Sequence, residues 1–295
     1  MSLWHVTVLA IVQGLTELLP VSSSAHVIVT ARLLHEKMST PENALLLVLL
    51  HTGTMFAVIV YFWRRWMEEI FASGERIYGY AKLLFVSSLL SGLVFLPADK
   101  LVEHILSRGG QHVDIEALFN KLNWIAPALA LAGVLILYAG LREARQPETE
   151  GENRTTRRGV QWMEAIAMGI LQGFAIPFRG FSRSGVTISG GLLTGGERAE
   201  IESYSFAMAV VITPLAIAWE LRRVYKTAHS GGFAPHWGPV LTPGIIGMIF
   251  SFVAGLLALK WLSRWLENGR WYWFGVYCLA AAGVVAYLYH MGYSA

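Results

Sequence analysis

Gln13 and Glu17 stand four residues apart, the spacing that places two side chains on one face of a helix. Pro20 cannot continue that helix, and the run Val21-Ser22-Ser23-Ser24-Ala25-His26 follows it. Serines after such a break can cap the next helix and leave its first backbone N–H groups turned toward an anion. His26 adds an imidazole that moves a proton near neutral pH. A second stretch, Gly180-Phe181-Ser182-Arg183-Ser184-Gly185-Val186-Thr187, carries complementary chemistry. The five donors of Arg183 form a fork that suits phosphate oxygens. Ser182, Ser184 and Thr187 add hydroxyls, and Gly180 and Gly185 permit close backbone approach. One stretch thus supplies a carboxylate, serines and an imidazole, and the other a cationic cradle for phosphate.

Each group also has a plainer explanation. A lone Glu can pair with a lone Arg, serines can serve helix packing, and a single His is commonly structural. The explanations weaken together, because a charge at bilayer depth costs about 2.5–3.5 kcal/mol on insertion scales. Glu17 and Arg183 both sit at breaks in apolar segments and incur that cost twice.

These residues must be positioned by membrane elements. Of 295 residues, 55% are hydrophobic and 15% charged, against about 25% charged in a soluble domain. Apolar runs fall at 3–19, 43–63, 83–97, 124–140, 160–178, 203–221, 241–262 and 271–290, several near the ~20 residues needed to span a bilayer. The pattern predicts an all-α polytopic membrane protein. Two shorter pieces, 23–34 and 185–195, follow breaks after the first and fifth runs. Each reads as the second arm of a re-entrant helical hairpin, an arrangement tolerated at depth where protein or a wet cavity surrounds it. The net charge of +3 comes from basic residues between apolar runs, not from a continuous stripe, so nucleic acid is a poor partner. Cys278, the only cysteine, excludes an internal disulfide and a cysteine-based metal cluster and reads as a buried small hydrophobe. The N-terminus lacks a basic region ahead of its apolar stretch, and Gln13, Glu17 and Pro20 interrupt it, so it reads as part of the fold rather than a signal peptide.

The two hairpins are related in sequence. Ile11-Val12-Gln13-Gly14-Leu15 matches Ile170-Leu171-Gln172-Gly173-Phe174, and Ser22-Ser23-Ser24-Ala25 matches Ser182-Arg183-Ser184-Gly185, with an offset that grows from 159 to 160. Phe62-Trp63-Arg64-Arg65 likewise corresponds to Glu220-Leu221-Arg222-Arg223. The chain is therefore expected to be one integral membrane domain, 1–295, built of pseudo-repeats 1–141 and 160–295 joined by a polar linker, 142–159. Each half would have a hairpin and about three transmembrane helices, with inverted topology and the site at the broken helices. On that plan the loops at 64–82 and 141–159, the turn at Arg198 and the link at 260–270 share one side and hold thirteen Lys and Arg; the other side holds eight. The positive-inside rule makes the first side cytoplasmic. A polar excursion at 98–123 is expected to hold a short amphipathic piece near 113–122. Trp261, Trp265, Trp271, Tyr272 and Trp273 read as an aromatic interface belt.

The segment from Gln13 to His26 resembles the first signature of the bacitracin-resistance family of undecaprenyl-pyrophosphate phosphatases: Glu or Gln, three residues, Glu, then Pro-Val-Ser-Ser and a nearby His. Gly180 to Thr187 resembles the second signature. The resemblance covers nearly the whole chain. It implies an enzyme of the bacterial cytoplasmic membrane that cleaves undecaprenyl pyrophosphate to undecaprenyl phosphate and phosphate. That activity recycles the lipid carrier of peptidoglycan synthesis and confers resistance to bacitracin, which shares the substrate. It further implies divalent-metal dependence, a site facing the periplasm and homodimers. On this reading Glu17, Ser23, His26 and Arg183 are catalytic. Ser22, Ser24, Ser182, Arg183, Ser184 and Thr187 bind phosphate, and Gln13 and Glu17 hold Mg2+ or Ca2+ through oxygen. Ser23 either attacks phosphorus or orients a water.

The chain departs from the pattern in three places. Gln13 stands where many members have a second Glu, Ala25 replaces the usual Gly before the His, and Pro177-Phe178-Arg179-Gly180 carries an extra residue and an extra Arg. Two rivals remain. A prenyl-phosphate flippase or transporter would use broken helices and the same cradle, but would not need His26, Glu17 and Ser23 beside the Arg. The other membrane lipid-phosphatase family requires an Arg-Pro element, which this chain lacks, and a second His soon after Ser182-Arg183, where none occurs before His229.

Overall fold

Lipid offers the backbone no hydrogen-bond partner, so an apolar segment that enters it must satisfy its own N–H and C=O groups as a helix. The computed structural model describes residues 1–36, 41–107, 122–145, 159–230 and 238–293, and these contain ten helices and no strand. They are α1 (Leu3–Leu18), α2 (Ser23–Leu33), α3 (Pro41–Glu69), α4 (Gly74–Ser107), α5 (Leu122–Ala144), α6 (Trp162–Ala175), α7 (Arg183–Leu193), α8 (Arg198–Ser230), α9 (Gly238–Glu267) and α10 (Tyr272–His290). Six are long and apolar enough to cross a bilayer: Asn43–Glu69, Gly74–Leu101, Leu122–Ala144, Arg198–Arg222, Leu241–Glu267 and Tyr272–His290. The protein is a polytopic α-helical membrane protein.

The other four helices have 16, 11, 14 and 11 residues. An 11-residue helix rises about 17 Å, roughly half the ~30 Å hydrocarbon core. They form two pairs, α1 with α2 and α6 with α7, each packed on itself. The turns carry backbone strain at matched places. Ser22 caps α2 at φ 68°, and Ser182 precedes α7 at φ 42°. A positive φ disfavours any side chain and is held in place only by surrounding structure.

Each hairpin leans on the opposite half of the chain. A Cβ at Gly14 would lie 2.5 Å from the Ser251 carbonyl oxygen and 2.7 Å from the Ala254 Cβ on α9. A Cβ at Gly173 would lie 2.6 Å from the Ser91 carbonyl oxygen and 2.7 Å from the Val94 Cβ on α4. Both glycines therefore serve close helix contact, and 91 to 251 and 94 to 254 repeat the offset of 160 found between the serine motifs. Between these hairpins, α3 packs on α8 and α9, and α5 packs on α10.

Several elements differ from expectation. The runs at 3–19 and 160–178 are not among them: they are α1 and α6, the first arms of the two short-helix pairs, as expected. The loop expected at 64–82 is mostly helix, with only residues 70–73 separating α3 from α4. The excursion at 98–123 begins as helix too, because α4 runs through Pro97 to Ser107. Apolarity marks the hydrocarbon layer, whereas a helix continues into the interface wherever good helix formers allow. The piece near 113–122 lies outside the described residues except for Leu122, as does the linker 142–159 apart from its ends. Trp271 leaves the proposed aromatic belt. It is fully buried and donates from Nε1 to Ser189 Oγ at 3.0 Å, while Trp261 and Trp273 stay exposed. Cys278 is buried and donates to the Pro20 carbonyl.

Candidate active site

Because α1 stops at Leu18 and α7 starts at Arg183, the two hairpin turns meet. Arg183 Nη2 donates to Glu17 Oε1 at 3.0 Å. The Gly180 amide donates to Ser24 Oγ at 3.1 Å, and Ser184 Oγ to the Leu19 carbonyl at 3.4 Å. Gly180, at φ 102°, makes its turn in a region few side chains tolerate. On the other carboxylate oxygen, Glu17 Oε2 accepts from Ser23 Oγ at 2.5 Å and from Gln13 Nε2 at 3.1 Å. The Glu17 side chain is 15% exposed and that of Arg183 24%. Both charges are partly withdrawn from solvent but open onto a common space.

That space is a cavity of about 580 Å3. Its polar floor includes Gln13, Glu17, Ser22, Ser23, Ser24, Ser182, Arg183 and Ser184. Its walls are apolar and come from α2, α3 and α8, with Val27, Leu47, Val48, Ile212 and Ile217 among them. It reaches from the hairpin turns to Ala44, near the start of α3, and Glu220, toward the end of α8. A polar end that binds an anionic head and an apolar path that leads away suit an amphiphile. Ser182 lines the cavity, and its Oγ is buried with no hydrogen-bond partner. A hydroxyl so placed costs free energy until something bonds it.

Two sequence candidates lie apart from this corner. His26 does not line the cavity. Its Nδ1 meets the Ser22 carbonyl at 2.8 Å and its Nε2 meets Tyr277 Oη at 2.7 Å, with the rings stacked. Thr187 is buried behind Arg183, donates to the Arg183 carbonyl at 2.8 Å and meets Ser205 Oγ at 2.7 Å. In His26's stead the cavity receives His51 from α3, whose Nε2 is 3.6 Å from Glu17 Oε2. The His51 Nδ1 donates to the Leu47 carbonyl at 2.8 Å, which fixes the ring and leaves Nε2 toward the carboxylate. Sequence reasoning missed His51 although it was discoverable as a titratable residue inside a long apolar run. It also missed Glu220, which lines the cavity together with Arg179.

Gln13 and Glu17 offer a divalent cation oxygen ligands only, the donor type that Mg2+ or Ca2+ takes. Among the described residues no cluster of three or more His, Cys, Asp or Glu could enclose a metal ion. One carboxylate and one amide oxygen do suit Mg2+ completed by water and substrate phosphates. The Gln13 amide already touches Glu17, and exchanging its O and N would bring oxygen beside the carboxylate.

Comparison with known proteins gives the family. The family described as bacitracin resistance protein BacA matches residues 6–284. The chain is 46% identical over 287 residues to undecaprenyl-diphosphatase 2 of Acinetobacter baylyi, covering 97% of each chain. It is 31% identical over 285 residues to undecaprenyl-diphosphatase of Rhodopirellula baltica, covering 96% of this chain and 97% of that one. A match along so much of the chain, with Glu17, Ser23 and Arg183 gathered at one cavity, places this protein in the BacA bacitracin resistance family.

Proposed function

We propose that the chain hydrolyses undecaprenyl pyrophosphate to undecaprenyl phosphate and inorganic phosphate, returning the carrier to peptidoglycan synthesis and limiting the substrate open to bacitracin. The observation that carries the reading is the Ser23–Glu17–Arg183 corner, with its 2.5 Å and 3.0 Å bonds, at the polar end of an apolar-walled cavity. Arg183 and the Ser22, Ser24, Ser182 and Ser184 hydroxyls bind the terminal phosphate. Glu17 orients Ser23, and His51 takes the proton. Ser23 Oγ attacks the terminal phosphorus, and the bond to the bridging oxygen breaks, releasing the lipid monophosphate. Water then cleaves the seryl phosphate. Gln13 and Glu17 would hold the divalent cation, which neutralises charge on the diphosphate when bound. His26 and Thr187 position the serine turn and Arg183 from behind. Phosphate release from purified protein given a long-chain prenyl diphosphate tests the reading directly. Binding without release would favour the flippase instead.

The cation assignment has its own test. Glu17→Gln removes the only charge from the oxygen pair and is expected to raise the Mg2+ or Ca2+ concentration for half activity about tenfold or more, with a lower rate. Gln13→Glu adds a charge and should lower that concentration or leave it in place. If Glu17→Gln and the unaltered protein share one metal curve, Glu17 is not a ligand.

We further propose that the halves are inverted repeats in the bacterial cytoplasmic membrane and that the cavity opens to the periplasm. The thirteen-to-eight charge asymmetry and the exchanged Gly14 and Gly173 contacts support this. With Cys278 replaced by Ser, cysteines at Thr149 and Gly74 are expected to label only from the cytoplasm, and one at Gly231 only from outside. Thr149 and Gly231 lie outside the described residues. Labelling of both from one side would overturn the inverted arrangement.

A further inference from the structure

Arg179 belongs to neither family signature, yet it lines the same cavity as Glu17 and Arg183. It arises from the extra residue in Pro177-Phe178-Arg179-Gly180, one position before the glycine whose amide binds Ser24. The cavity therefore receives two guanidinium groups from one hairpin. Arg183 faces Glu17 at the serine corner. Arg179 instead shares the cavity lining with Glu220 of α8, a group of opposite charge. Glu220 lies about three helical turns beyond Ala209, on the part of α8 that lines the cavity. The two cationic residues thus line one cavity and stand beside different carboxylates. Arg183 shares the Glu17 carboxylate with Ser23, which puts it at the serine corner.

We propose that Arg179 binds the phosphate that stays on the lipid, while Arg183 binds the one that is removed. The inference rests on the phosphatase reading and assigns the second half of its substrate. Glu220 is the internal counter-charge that Arg179 exchanges for that phosphate, so Arg179 holds both the diphosphate substrate and the lipid monophosphate and governs inhibition by that product.

The test is a pair of variants with opposite expected signs, assayed with a C55 prenyl diphosphate. Arg179→Gln is expected to raise KM about tenfold or more, the effect of losing one charge-assisted hydrogen bond, and to change KM more than kcat. The inhibition constant of C55 prenyl monophosphate should rise in parallel, whereas that of inorganic phosphate, the ligand of Arg183, should stay in place. Glu220→Gln removes the competitor and should lower both KM and the monophosphate constant. An unchanged KM in Arg179→Gln, or a shift in the inorganic phosphate constant instead of the monophosphate constant, would overturn the assignment. So would a raised KM in Glu220→Gln, which would make the pair purely structural. Failure of the unaltered protein to release phosphate would count against the phosphatase reading, a result separate from any of these. Thermal unfolding in detergent checks that each variant is folded.

Discussion

His51→Ala is expected to lower kcat about 10²- to 10⁴-fold, the usual contribution of a positioned acid–base group. The same change at His26 should cost far less. The contrast follows from where the two rings point. His51 reaches the cavity with Nε2 3.6 Å from Glu17, and the Leu47 carbonyl holds its other nitrogen. His26 spends both nitrogens on protein, one on the Ser22 carbonyl and one on Tyr277. His26→Ala should therefore loosen the serine turn, and Tyr277→Phe should reproduce part of its effect. The measurement is single-turnover phosphate release for all three variants, beside thermal unfolding. A His26→Ala rate as low as that of His51→Ala, in a folded protein, would return the proton-transfer role to His26.

Arg183→Lys should lower kcat/KM about 100-fold, or ~2.7 kcal/mol of transition-state binding. Lysine keeps the charge but loses the planar fork that grips Glu17 and phosphate together. Arg183→Ala is a less clean experiment. Removing one partner of a partly buried ion pair leaves Glu17 uncompensated and destabilises the fold as well. Near-normal turnover in Arg183→Lys would sink the clamp assignment.

Much of this was legible in the sequence, and for a physical reason. Hairpins that break at depth require Pro20, serine caps and glycines, and those residues announce themselves. The pairing of Glu17 with Arg183 was present only as the plainer explanation of two charges at depth, and the structure makes that bond while opening both groups onto the cavity. What local pattern could not give was direction. His26 lies two residues from Ser24, yet the turn of α2 sends its ring to Tyr277, 251 positions away in sequence. His51 lies on another helix and enters the site only because α3 packs against α1. The signal for it was present as a polar residue in an apolar run, but nothing in its neighbours tied it to the serine motif. Helix ends were misplaced for a related reason, since hydropathy reports the lipid layer and not where hydrogen bonding stops. Trp271 shows the same limit, because an aromatic cluster at a span's end reads alike whether a ring meets lipid or a buried Ser189.

The contact between Gly14 and Ser251 sets an order in time. At ~5–20 residues per second, Ser251 leaves the ribosome about 10–50 s after Gly14. For that interval α1, too short to cross and carrying Glu17, has α2 and α3 beside it but lacks the α9 surface. The second hairpin waits less, because Ser91 and Val94 precede Gly173 in synthesis. The newborn chain therefore holds its carboxylate half against α3 alone until nearly the last helix arrives, and a ribosome that stalls before α9 releases a chain in which Gly14 has no close neighbour to meet.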